Sequence, residues 1–87
     1  MRKRSKSEAW IQAGKEVLMP TYTRFPLVLE KGRGATVIDV EGKRYLDFVS
    51  GVAVACLGHS DPRFVKAIQK QAGTLLHVSN LYYNPQQ

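Results

Sequence analysis

An α+β fold follows from two changes of hydrophobic period along the 87 residues of the chain. Apolar residues recur every three or four positions near the amino end, alternate through the middle, and return to the wider spacing after Asp61. Glycines set close together in the alternating stretch leave room only for hairpin turns. The predicted order is an N-terminal helix, a three-stranded antiparallel meander and one amphipathic helix.

Ser5-Lys6-Ser7-Glu8 has the Ser-x-x-Glu spacing of a capping box, so the first helix is expected to begin there. Trp10, Ala13 and Val17, flanked by Ile11 and Leu18, give it one apolar face, and Gly14 within it costs about 1 kcal/mol relative to alanine. Such a helix needs a partner surface. Pro20 ends it, and Tyr22 to Pro26 reads as an extended connector.

Three strand-like runs follow, Leu27 to Lys31, Ala35 to Val40 and Lys43 to Phe48, separated by Gly32-Arg33-Gly34 and Glu41-Gly42. Val37 and Asp39 fall on one face, Thr36 and Ile38 on the other, so packing is expected on both sides. The third run breaks at Ser50-Gly51, and small apolar residues continue to Gly58, which lets backbone approach a neighbour closely. Asp61-Pro62 supplies a cap and a first helical position. Val65, Ile68, Ala72, Leu75 and Leu76 then make an apolar face opposite Arg63, Lys66, Gln69 and Lys70. His77 to Pro85 carries too many turn formers to prolong the helix. Asn84-Pro85 looks like the start of another element, and with the chain ending at Gln87 a truncated sequence is expected.

A chain this short builds one small core at most. Its formal net charge is +6, but Arg2, Lys3, Arg4 and Lys6 lie in the first six positions, and without them it falls to +2. Residues 1–6 are read as a solvated basic tail and residues 7–87 as the folded segment. No signal-type apolar run follows the tail, no stretch approaches the ~18 apolar residues of a membrane span, and aromatic and basic residues do not interleave. A soluble, cytoplasmic protein without nucleic-acid or membrane partners is expected. The single cysteine, Cys56, fits a reducing compartment.

Gly32-Arg33-Gly34 fails as a dinucleotide loop, because Val37 stands where a third glycine is needed and a strand follows where a helix should. Cys56 and His59 are three apart, but their apolar setting points to a small buried thiol rather than a nucleophile. His59 and His77 lack metal-ligand spacing, and backbone hydrogen bonding is the default for each. Asp47 is read as an acceptor for loop amides. Asn80, Tyr82 and Tyr83 suit core-edge packing and a polar ligand pocket equally.

Met19-Pro20-Thr21-Tyr22, Arg24 to Glu30, Asp39 to Lys43, Tyr45 to Gly51, Leu57-Gly58-His59 and Ser79 to Tyr83, taken in order from about Val17, resemble the amino-terminal region of the class III pyridoxal-phosphate aminotransferases. Within that class, Leu-Gly-His followed by Ser-Asn-Leu-Tyr-Tyr most resembles the members acting on N-acetylornithine. One departure is Asp61, where the family commonly has a second histidine before the proline.

The resemblance implies a fold-type I homodimer in which this segment belongs to the small domain. It also implies pyridoxal phosphate held by a lysine as a Schiff base, and reversible transfer of an amino group from N-acetylornithine to 2-oxoglutarate in arginine biosynthesis. By the same resemblance Gly51, Val52, Asn80 and Tyr82 would line the substrate pocket near the subunit interface. The cofactor's lysine, its phosphate loop, the acid at its ring nitrogen and the carboxylate-binding arginine would lie beyond Gln87. No residue here is thus assigned as catalytic, cofactor-binding or metal-binding, and the segment alone is expected to be inactive. Ornithine, succinylornithine or 4-aminobutyrate as donor, or a non-catalytic interaction module using the apolar loop from Gly51 to Leu57, are the alternatives.

Overall fold

The computed structural model describes residues 3–87; the first two residues of the basic tail, Met1 and Arg2, lie outside the described residues. Helix α1 spans Lys6–Val17, so Lys6 belongs to the helix. Ser5 caps it as expected: its hydroxyl accepts from the Glu8 amide, and the Glu8 carboxylate accepts from the Ser5 amide. A further bond, from the Ser7 amide to the Glu41 carboxylate at 2.9 Å, ties the start of α1 to the sheet's second turn.

Strands β1 (Leu29–Arg33), β2 (Thr36–Asp39) and β3 (Arg44–Leu46) form the antiparallel meander in the order β1-β2-β3. Their bounds differ from the period-two reading. Arg33 pairs with Thr36 and Gly32 with Val37, so Gly32 and Arg33 extend β1 and the turn shrinks to Gly34-Ala35. Gly34, at φ +58°, supplies the left-handed backbone that so tight a loop requires. A bulge between Leu29 and Lys31 shifts the register along β1.

Of the two faces, only that of Val37 and Asp39 is buried, and these are the buried residues among those described. Packing on both faces is not observed within the chain. Neither α1 nor helix α3 (Pro62–Ala72) packs against the sheet, and Trp10, Phe25, Phe48 and Leu76 stand largely exposed. The chain measures 60 × 29 × 23 Å with a radius of gyration of 17.8 Å. A compact chain of this length would have a radius of about 12 Å. Among the described residues no helix is long and apolar enough to cross a membrane.

Helix α3 starts as the sequence requires, with the Asp61 carboxylate accepting from the amides of Arg63 and Phe64. Asp61 thus serves as the helix cap. The helix ends at Ala72 with Gly73 as its cap, so Leu75 and Leu76 continue the apolar spacing without being helical. The Leu75 amide still bonds the Gln71 carbonyl, and the Gln71 side chain returns a 2.7 Å bond to the Leu75 carbonyl. Farther on, Asn84 accepts from the Gln87 amide through its side chain, the geometry of a helix cap.

Candidate functional site

The loop between β3 and α3 folds back onto the β1–β2 hairpin. The Gly34 and His59 amides each donate to the other residue's carbonyl at 2.9 Å, forming an isolated antiparallel bridge. The Ser60 hydroxyl bonds the Gly32 carbonyl at 2.7 Å. Close approach requires glycine here: a Cβ on Gly58 would stand 3.0 Å from the Gly34 carbonyl oxygen, and one on Gly32 would stand 2.7 Å from the His59 Cβ and Cγ. The small residues around Gly58 do bring backbones together, and the neighbour they approach is the chain's own hairpin.

Asp47 organises the entry to this loop. Its Oδ1 accepts from the Val49 amide at 2.9 Å and the Ser50 amide at 2.8 Å, as expected of a loop-amide acceptor. Its Oδ2 lies 2.6 Å from His59 Nε2. The Ser50 amide, then His59, then the Val49 amide hold the Asp47 carboxyl below its ordinary pKa. The default of a backbone-bonded histidine is thus corrected for His59, whose imidazole meets a carboxylate.

Between these anchors lies α2 (Ser50–Ala53), a single left-handed turn. Ser50, Gly51, Val52 and Ala53 have φ of 55°, 61°, 64° and 62°. Left-handed backbone costs roughly 1–2 kcal/mol for each residue that carries a Cβ, and a β-branched residue such as Val52 rarely adopts it. The bonds from Ala53 and Val54 amides to the Val49 and Ser50 carbonyls close the turn.

A second acid anchors the turn between β2 and β3. Asp39 Oδ1 accepts from the amides of Glu41 and Lys43, each at 2.9 Å, and its Oδ2 accepts from the Tyr45 hydroxyl at 2.8 Å. Burial, the largest influence, pushes the Asp39 pKa up, but the Lys43 amide, Tyr45 hydroxyl, Glu41 amide and Lys43 charge together hold it below the ordinary value. The same bond to Asp39, reinforced by burial, raises the Tyr45 pKa above 10.0.

The four residues assigned by resemblance are all exposed. Gly51 and Val52 form the middle of the left-handed turn, with Val52 82% accessible. Asn80 lines a concavity of about 290 Å³ between the end of α3 and the chain's last residues, together with His77 and Gln71. Tyr82 is exposed two residues beyond Asn80. A second concavity, of about 200 Å³, is lined by Asp47, Ser50, Cys56, Gly58 and His59. Neither holds Gly51, Val52 or Tyr82, and both are smaller than sites that enclose a substrate-sized molecule, about 300–1,000 Å³. Cys56 is exposed, which corrects the expected buried thiol: Val52, Val54 and Leu57 around it are exposed as well.

The Asp39 anchor was missed from sequence, although Asp followed two residues later by Glu-Gly is the pattern of a side chain bonding its own turn. The Asp47–His59 contact was also missed, and a separation of twelve residues gives no signal for it.

The model of the aminotransferase class-III family matches residues 17–87. The chain is 58% identical over 73 residues to an acetylornithine aminotransferase of Caldanaerobacter subterraneus subsp. tengcongensis, covering 84% of this chain and 19% of the relative. It is 54% identical over 76 residues to one of Gloeobacter violaceus, covering 87% and 19%. Among solved structures, acetylornithine aminotransferase from Elizabethkingia anophelis superposes with a TM-score of 0.87 at 38% identity, over 93% of this chain and 21% of that one. Ornithine delta-aminotransferase of Plasmodium falciparum gives 0.89 at 28% identity, over the same shares. The chain thus spans about a fifth of the length of these relatives. Its meander, its capped α3 and the motifs from residue 17 onward are those of one family, and the chain belongs to the class III aminotransferases.

Proposed function

We propose that the full-length protein is a homodimeric, cytoplasmic aminotransferase that moves an amino group from N-acetylornithine to 2-oxoglutarate with pyridoxal phosphate, in arginine biosynthesis. The observation that carries this reading is the identity of 58% over 73 residues and 54% over 76 residues to relatives named acetylornithine aminotransferase. The close superposition on an ornithine aminotransferase makes ornithine the alternative donor.

The described residues do not fit a seat for the cofactor: every lysine is exposed, and no buried side-chain nitrogen or oxygen awaits a partner. When bound, pyridoxal phosphate supplies the electron withdrawal that lets a proton leave the donor carbon. This chain's share is binding and orientation. Gly51 and Val52 set the shape of one wall, Gly51 leaving room and Val52 filling it, while Asn80 offers amide donors and acceptors and Tyr82 a flat apolar face with a hydroxyl tip. The segment on its own is inactive in this reading, because it spans a fifth of the family length and carries no cofactor seat.

The test is a comparison of N-acetylornithine, ornithine, succinylornithine and 4-aminobutyrate as donors to the full-length protein and to its Val52→Tyr and Tyr82→Ala variants. N-acetylornithine is expected to give the highest kcat/KM, and both substitutions are expected to change the order of preference. An unchanged order in both variants would remove Val52 and Tyr82 from the pocket.

A further inference from the structure

The left-handed turn Ser50–Ala53 is built from conformations that three of its four residues disfavour, and its own contacts are few: Gly51, Val52 and Ala53 are exposed. What holds it stands at its two ends. Asp47, at the entry, binds the Val49 and Ser50 amides through one carboxylate oxygen and His59 through the other. His59, at the exit, is fixed by its backbone bridge to Gly34, with its ring root against Gly32. The 2.6 Å contact between the two side chains links the loop's two ends directly. The hairpin is the rigid body against which that link is held, because the Asp47 amide also bonds the Ala35 carbonyl at 2.8 Å.

We propose that Asp47 and His59 are a positioning pair for amino-donor binding, holding the Ser50–Ala53 turn so that Gly51 and Val52 meet the donor at a fixed place. The proposal rests on the reading above that Gly51 and Val52 line the donor pocket. Neither Asp47 nor His59 touches the donor in this assignment. Loosening the pair therefore changes how well a donor is held and discriminated before it changes the rate of the bound complex.

The test uses the full-length holoenzyme with His59→Ala, His59→Gln and Gly32→Ala. Kinetics with N-acetylornithine and ornithine are read beside amide hydrogen exchange over residues 49–55. His59→Ala is expected to raise KM for N-acetylornithine about tenfold, with kcat changed less than about threefold, and to alter the kcat/KM ratio between the two donors. Exchange in 49–55 is expected to accelerate about tenfold while α3 exchanges as before. His59→Gln, whose amide nitrogen reaches the place of Nε2, is expected to restore both readouts to within about threefold of wild type.

Gly32→Ala, which forces the ring root to move, is expected to shift KM and exchange in the same direction as His59→Ala and decides the matter if that variant fails to fold. A loss of thermal stability with KM, donor ratio and local exchange all unmoved would overturn the proposal, leaving the pair a structural contact only. Failure of His59→Gln to restore KM would also overturn it. If the wild-type enzyme transfers no amino group from any donor, the aminotransferase reading fails and the proposal falls with it. Wild-type turnover with unmoved variants refutes the proposal alone.

Discussion

Gly58→Ala tests whether the loop is pressed onto the hairpin as tightly as the backbone indicates. Two costs add at Gly58. Its φ of +79° lies in the left-handed region, where a Cβ costs roughly 1–2 kcal/mol. The same Cβ would stand 3.0 to 3.2 Å from the carbonyl oxygen, Cα and carbonyl carbon of Gly34, backbone atoms that cannot rotate away. Overpacking of that kind costs about 1–3 kcal/mol. The total is roughly 2–5 kcal/mol.

Gly34→Ala separates the terms, because Gly34 has φ +58° but nothing within 4 Å of its would-be Cβ, so only the first cost applies, about 1–2 kcal/mol. Gly42→Ala, at φ +85° and equally open, is a second control. Urea unfolding of the full-length protein, followed by circular dichroism, gives the comparison. Gly58→Ala is expected to lose more than either control. Equal losses would refute the close approach, and with it the account of why the loop needs glycine there.

Two further predictions concern charge and completeness. Asp39 and Asp47 are held below the ordinary carboxylate pKa of 3.8, so the stability they contribute is complete above about pH 5 and is lost as pH falls through their lowered folded values. The urea midpoint difference between wild type and Asp39→Asn should shrink as pH is taken from 7 to 3, and a constant difference would contradict the Asp39 assignment. On the alkaline side the raised Tyr45 pKa means that its contribution is complete below about pH 10 and is lost as pH rises through the higher folded value. The isolated 87-residue segment, with Phe25, Phe48, Leu76 and Tyr83 more than four-fifths exposed, is expected to bind a hydrophobic dye and unfold without a cooperative transition. A monomeric, cooperatively folding segment would instead favour the interaction-module reading.

How far the sequence carried depended on whether local chemistry was enough. The Ser5–Glu8 box, the Asp61-Pro62 start and the order of the three strands are set by neighbouring residues, and all were legible. Strand bounds shifted because pairing, not alternation, decides them: Gly32 and Arg33 look like turn residues yet are held in β1 by Val37 and Thr36. The exposure of Cys56 was missed because apolar neighbours in sequence imply burial only when something covers them. The left-handed turn at Ser50–Ala53 was illegible for a different reason. One glycine signals a break, but nothing in Val52-Ala53 foretells positive φ, and the contacts at the turn's edge involve Asp47 and His59, which lie outside it. The pocket residues came from resemblance, and the fold shows where Gly51, Val52, Asn80 and Tyr82 sit without enclosing a ligand among them.

The most direct test of the central claim is transfer of label from N-acetylornithine carrying 15N in its free δ-amino group, incubated with the full-length protein, pyridoxal phosphate and 2-oxoglutarate. 15N-glutamate is expected in amount equal to the donor consumed. Glutamate without label, or label released as ammonia, would contradict it.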